Sequence, residues 1–218
     1  MVTGIPDNYN VIPIPPWQTH DWLLNKHYAK RIPSISYAFG LYDSNNDLQG
    51  VCTFGKPASP FLCDGVCGKD KSCFVYELNR LVINDNCPKN TASYFISKAI
   101  NKLPGGLILV SYADTVMGHI GKVYQASNWL YTGATKERTD IGFDDGSHSR
   151  HYDKKIDYKL NRKIRTSKHR YIYFTGNKKQ KRNNRLNLNY DILPYPKGDT
   201  RRYDASYQPE VQQTLFVK

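Results

Sequence analysis

Long apolar runs are missing from this chain: no stretch approaches the roughly 18 residues that a membrane-spanning helix needs. The start, Met1-Val2-Thr3-Gly4-Ile5-Pro6, also lacks the charged segment and apolar stretch of a secretory leader. Both absences lead us to expect a soluble, intracellular protein with no membrane partner. Acidic charge is scarce in one region. Residues 150–202 hold 17 Lys and Arg against four Asp, a net of +13, which leaves the rest of the chain at −1 within a total of +12. A positive field confined to one region points to a polyanionic partner rather than to a uniformly basic surface. Cysteine is sparse as well, at five in 218 residues, and in a reducing compartment a disulfide scaffold is not expected. Cys63, Cys67 and Cys73 form Cys-x3-Cys-x5-Cys, and three thiolates with a fourth ligand could hold zinc. The first spacing is longer than the usual zinc pair and no partner pair follows, so reduced thiols are favoured. Cys52 and Cys87 read as separate structural cysteines.

With 39% apolar residues the chain can bury one core. We expect a single α+β domain over residues 1–197 and a tail over 198–218, with a Pro-rich lead (1–16) and a basic part (150–197) that faces the polyanionic partner. Pro6, Pro13, Pro15 and Pro16 argue against regular structure in the lead. Residues 17–28 read as a helix that ends near His27-Tyr28. A hairpin follows, Ile35 to Tyr42 and Leu48 to Phe54, turning at Asn45-Asn46-Asp47. The stretch around Cys63 to Cys73 reads as turn-rich.

Residues 74–83 have the β-branched and aromatic density of a strand and stop at Asn84-Asp85-Asn86. After Pro88, Tyr94 to Ile100 is spaced as an amphipathic helix, with Asn90 or Thr91 as N-cap. Backbone N–H groups there would face an anion, joined by Lys89, Thr91 and Ser93. Leu107-Ile108-Leu109-Val110 is continuous enough for a strand buried on both faces and runs into Ser111-Tyr112-Ala113-Asp114. Buried strands that end in polar side chains commonly open onto a site. A second helix, with Ile120, Val123, Tyr124 and Ser127 on one face, should end near Trp129. Tyr171-Ile172-Tyr173-Phe174 reads as the last strand of the sheet, followed by cations on a hairpin or loop that faces nucleic acid. Arg170, Lys178, Lys179, Lys181, Arg182 and Arg185, interleaved with aromatics, are the nucleic-acid candidates.

The order strand, anion-binding loop, helix, strand, helix resembles the GNAT acyltransferase fold, in which acyl-coenzyme A lies between two splayed strands. Five stretches resemble the Mom family of phage DNA-modifying enzymes more specifically: residues 76–81 (Tyr-Glu-Leu-Asn-Arg-Leu), 88–90, 111–114, 118–121 and 124–129. His27-Tyr28, residues 30–34, 168–174 and 193–197 agree, so the resemblance spans residues 17–197. It implies a GNAT-like mixed sheet flanked by helices, with a basic C-terminal extension. It also implies conversion of adenine N6 in double-stranded DNA to a carbamoylmethyl form that shields phage DNA from restriction, in the host cytoplasm if the protein is phage-encoded.

Matched onto the Mom pattern, His27, Tyr28, Asp114 and Tyr124 are the catalytic candidates, with Arg80 and Ser93, beside Lys89, toward the donor phosphates. The resemblance further implies iron, with His27, Tyr28 and Asp114 as nitrogen and oxygen ligands. His119, between two glycines, is a weaker candidate. Adenine N6 is a weak nucleophile, so its enzyme must position an electrophile and remove a proton, and in a duplex the base must be flipped out. Acetyl transfer alone would leave an amide, whereas this product needs a nitrogen bond to a methylene carbon and a terminal amide. A donor of acyl-coenzyme A type is therefore expected to be unusual. Two competing readings stay open: an ordinary GNAT acetyltransferase acting on tRNA or another amine, and a non-enzymatic DNA-binding protein.

Overall fold

Strand-forming residues from both halves of the chain condense into one mixed sheet of seven strands. The computed structural model describes residues 9–141 and 162–199. In chain order the elements are β1 (Asn10–Pro13), β2 (Tyr37–Tyr42), β3 (Leu48–Gly55), α1 (Pro60–Cys67), β4 (Val75–Ile83), α2 (Thr91–Asn101), β5 (Ile108–Asp114), α3 (Lys122–Ala126), β6 (Leu130–Ala134), β7 (Arg138–Ile141), β8 (Arg162–Arg165), β9 (Lys168–Phe174) and α4 (Lys178–Leu186). The sheet runs β1-β2-β3-β4-β5-β9-β6, and β7 and β8 form a separate hairpin. The fold is therefore α+β with helices flanking a mixed sheet, as expected. Residues 142–161, which hold part of the basic region, and the tail from residue 200 lie outside the described residues.

Burial on both faces explains the continuous apolar run in β5. Leu109 faces a core built with Phe95, Ile96, Ala99 and Ile100 of α2, together with Phe54, Leu41 and Trp129. Its neighbours Ile108 and Val110 face the opposite core, with Val66 and Cys67 of α1 and Ile172 and Phe174 of β9. Side chains alternate faces along a strand, so both cores hold β5 in register.

The parallel pair β4–β5 is short. It covers Val75↔Ile108, Tyr76↔Leu109 and Glu77↔Val110, while β4 stays paired with β3 through Ile83 and β5 with β9 through Asp114. Past Glu77 and Val110 the two strands part. A register shift in the β3–β4 ladder, where Phe54 faces Leu78 and Thr53 faces Arg80, leaves Asn79 as the extra residue of a bulge. Asn79 Oδ1 accepts from Thr53 Oγ1 at 2.6 Å and Asn79 Nδ2 donates to the Ser34 carbonyl at 2.8 Å.

Several elements depart from the sequence expectation. Part of the Pro-rich lead is strand β1, because Val11 is buried and an edge position tolerates Pro13. Residues 17–28 do not form one helix. A 3-10 turn (Pro16–Thr19), held by Thr19 Oγ1 donating to the Pro16 carbonyl at 2.7 Å, gives way to a wide π-type turn (Trp22–Lys26) that ends at an extended His27. Burial of Leu23 and the reach of Lys26 to Asn84 at 2.8 Å outweigh regular helix there. The stretch near Cys63 is helical, since Ser59 accepts the Leu62 N–H as N-cap and Pro60 opens the first turn. The helix read around residues 118–129 shrinks to α3, because Gly118 and Gly121 adopt left-handed φ of 65° and 77°. In space β9 is not an edge strand but inserts between β5 and β6. The cations 178–185 lie on helix α4 rather than on a hairpin or loop, as Asn177 and Gln180 form a reciprocal capping box at its start.

Gly121 combines positive φ with close packing: a methyl group there would lie 2.4 Å from the Tyr171 ring. Gly121→Ala is expected to lower the unfolding free energy by about 2 kcal/mol or more, read from urea titration midpoints.

Candidate active site

The parting of β4 and β5 opens a cavity of about 1190 Å³. That exceeds the roughly 300–1,000 Å³ of ordinary small-molecule sites, so two ligand portions can share it. Its floor is β4, where the bulge turns Glu77, Leu78, Asn79, Arg80 and Leu81 toward it in succession. Tyr112 and Ala113 of β5, His119 and Tyr124, His27 and Tyr28, and the Ala58–Ser59–Pro60 approach to α1 supply the walls. Thr135, Lys136, Arg138 and Thr139 reach it from one side of the β7–β8 hairpin, and Arg165 from the other.

A hydrogen-bonded chain braces the opening. Ser111 is the first β5 residue beyond the last parallel pair, and its hydroxyl lies 2.8 Å from the Leu78 carbonyl of β4 and 2.8 Å from the Tyr124 hydroxyl. A carbonyl only accepts, so Ser111 donates to Leu78 and receives the Tyr124 proton. Burial pushes the Tyr124 phenol far above its ordinary range, and the hydroxyl stays protonated.

His27 and Tyr28 stack with ring centroids 4.3 Å apart, and His119 meets Tyr28 edge-on at 6.3 Å. Burial, reinforced by Arg80 and His119, lowers the His27 pKa to about 3. The ring is neutral, and its Nδ1 accepts the Ala29 N–H at 3.0 Å. The remaining proton therefore sits on Nε2, which makes His27 a hydrogen-bond donor rather than a base. Burial and Asp114 raise the Tyr28 phenol to about 12, and burial lowers His119. Tyr112 is raised by burial and by Glu77.

Glu77, not singled out from sequence, is the one carboxylate in the cavity lining among the described residues. Burial raises its pKa, opposed by Arg80, Lys168, Arg31 and Arg165. The signal that could have found it is its place in Tyr76-Glu77-Leu78-Asn79-Arg80, two residues after the apolar start of β4. Arg80 is 9% exposed and donates through Nη1 to the Asn79 carbonyl at 2.6 Å. Its buried Nε has no partner, an orphan donor beside the cavity.

The other sequence candidates separate. Asp114 ends β5 with Oδ2 in an ion pair to Lys168, which lines the cavity, and Oδ1 accepting the Val116 N–H at 3.2 Å. Both Asp114 oxygens are engaged, and among the described residues no group of three His, Cys, Asp or Glu is placed to hold a metal ion. Lys89 and Ser93 sit at the start of α2 outside the cavity lining, and the Ser93 hydroxyl donates to the Asn90 carbonyl at 2.9 Å. Arg170 is held by Thr132, with Nε to Oγ1 and Nη2 to the carbonyl both at 2.9 Å, and lies over the Tyr190 ring at 3.4 Å. Lys178, Lys179, Lys181, Arg182 and Arg185 are exposed on α4. Cys63 and Cys67 stand one turn apart on α1 with pKa values raised by burial, and Cys73 is exposed.

Residues 8–197, nearly the whole described chain, match the Mom protein family, and the chain belongs to that family. A relative in it is the methylcarbamoylase Mom of Escherichia phage Mu, 28% identical over 203 residues, a match that covers 83% of this chain and 80% of the relative. Among solved structures the chain is similar to a GNAT-family acetyltransferase from Bacillus cereus (10% identity, TM-score 0.44, 80% of this chain and 100% of that one). It is also similar to the spermidine/spermine N-acetyltransferase SpeG of Vibrio cholerae (8% identity, TM-score 0.44, 78% and 95%). Among the described residues no helix is long and apolar enough to cross a membrane.

The neutral His27 has a pH signature. Its folded pKa of about 3 lies below the ordinary 6.5, so the unfolded chain takes up a proton first as pH falls. The stability it contributes is complete above about pH 6.5 and is lost as pH drops toward 3. In urea titrations at pH 7 and pH 4, wild type should lose on the order of 3 kcal/mol more than His27→Gln.

Proposed function

We propose that this protein modifies adenine in double-stranded DNA, converting N6 to a carbamoylmethyl form in the cavity between β4 and β5. The observation that carries the reading is that His27, Tyr28, Arg80 and Tyr124, all matched to the Mom pattern, line one cavity in a chain that belongs to that family. The phage Mu relative is itself named a methylcarbamoylase.

Each side chain has a task in this reading. The cavity walls present donors, namely the neutral His27, Tyr28 and Tyr112, which suit the ring nitrogens of an extruded base and the carbonyl of the incoming group. Glu77 is the proton acceptor: N6 attacks the methylene carbon of a carbamoylmethyl group carried by the donor, the bond from that carbon to the donor breaks with its electron pair going to the donor, and N6 gives up a proton to this carboxylate. Burial raises its pKa, which makes the carboxylate a stronger proton acceptor. The orphan Nε–H of Arg80 binds an oxygen of the donor, whose carrier portion is coenzyme A-like. Lys89 and the α2 start bind its phosphates farther along the splay. Asp114 acts as a positioning residue that holds Lys168 at the cavity edge. Where the gene is carried by a phage, the reaction takes place in the host cytoplasm and protects the DNA from restriction.

Nucleosides digested from plasmid DNA of expressing bacteria test this by mass spectrometry. Wild type should yield a heavier deoxyadenosine, and Glu77→Gln should reduce it by about 100-fold or more while the protein stays folded. Unmodified DNA from wild type would overturn the function, and full modification by Glu77→Gln would overturn the role of Glu77.

A further inference from the structure

An adenine paired inside a duplex cannot reach a cavity floor, so the duplex must be opened at the mouth. Two features of that mouth have no part in the chemistry above. The first is Phe61. It is 88% exposed, more than any other large apolar side chain among the described residues. It stands in the first turn of α1, while Ala58, Ser59, Pro60 and Leu62 around it all line the cavity. The helix does not need it for folding, because Val66 and Cys67 are the α1 residues buried in the core. The Ser59 cap and Pro60 fix the backbone beneath it. The side chain is thus an apolar projection on a rigid turn at the edge of the cavity.

The second feature is charge. Among the described residues the cavity lining contains seven Lys and Arg and a single carboxylate, Glu77, so its ligand is anionic. On the β7–β8 hairpin Arg138 and Arg165 are direct cross-strand partners, and both line the cavity. Like charges placed opposite each other in a ladder repel, and a phosphate between them turns that repulsion into binding. Arg162, three pairs along the ladder, donates to Thr139 Oγ1 at 2.8 Å. Helix α4 lies elsewhere. It follows Phe174, and Asn184 donates to the Gly106 carbonyl, whereas the cavity is reached at Lys168, the opposite end of β9 and about 20 Å away.

We propose that this mouth extrudes the base. Phe61 wedges into the stack that the adenine leaves, Arg138 and Arg165 grip the flanking phosphate, and the α4 cations hold a more distant stretch of the same duplex. Apolar wedges that unstack a base step are a general means of distorting DNA. The proposal rests on the DNA-modifying reading above and adds how the duplex is opened.

The test uses the full-length protein and short duplexes that carry 2-aminopurine, an adenine analogue that fluoresces when unstacked, in several sequence contexts. On binding wild type the fluorescence should rise. Phe61→Ala, an exposed position where folding is not disturbed, should give no rise at protein concentrations that saturate the duplex. Phe61→Leu, which keeps an apolar wedge, should restore it. Arg138→Gln should reduce the slope of log affinity against log salt by about 1. Lys178→Ala combined with Lys179→Ala should weaken binding and leave the rise intact. A Phe61→Ala protein whose fluorescence rises like wild type, or whose plasmid DNA is modified as fully, would overturn the wedge while the function stands. Loss of the rise in the α4 double variant would also overturn it, by placing extrusion on that helix. Wild-type cells whose DNA holds only ordinary deoxyadenosine would instead overturn the underlying reading.

Discussion

Everything in this site depends on the point where β4 and β5 stop exchanging hydrogen bonds. After Glu77 and Val110 each strand keeps its outer neighbour, β3 for β4 and β9 for β5, and loses its inner one. Buried backbone groups cannot be left without partners at small cost, so a parting of this kind must be braced. Ser111 supplies the brace, spanning to the Leu78 carbonyl and receiving the Tyr124 hydroxyl. The bulge at Asn79 extends the effect by turning successive β4 side chains toward the opening. Glu77 thereby stands at the last parallel pair, half-buried, where desolvation raises its pKa.

The electrostatics of the cavity follow from burial. Desolvation penalises charge, so His27 is neutral and Tyr28, Tyr112 and Tyr124 keep their protons. The result is a space rich in donors and cations with one carboxylate among the described residues, Glu77. Such a set is complementary to a ligand that carries several acceptors and one transferable proton, which describes a purine amine beside an anionic donor. It also explains why Asp114 stays with Lys168: away from that partner its carboxylate would be half-buried and unpaired.

Much of the architecture was legible in sequence because its signals are local. The hairpin of β2 and β3, the strand β4, the α2 start at Asn90 and the doubly buried β5 all follow from period, turn residues and apolar runs. Errors came where long-range contacts outweighed local pattern. Residues 17–28 have helical spacing, but burial of Leu23 and the reach of Lys26 to Asn84 impose a wider turn. β9 reads as a terminal strand and is instead an interior one, since only folding shows that β6 pairs on its far side.

The sequence by itself determined the types of the central elements β2, β3, β4, α2 and β5, the concentration of positive charge from residue 150 on, and the family, through motifs whose residue order is specific. The tertiary structure alone decided which of those residues meet. Arg80, His27, Tyr28 and Tyr124 share the cavity; Lys89 and Ser93 remain at the α2 start, and Arg170 is held by Thr132 and Tyr190. It also brought forward Glu77 and Phe61, one by burial and one by exposure. The physical reason is that residue type and spacing act over a few positions. Burial, ion pairing and the parting of two strands are set by contacts between segments far apart in the chain.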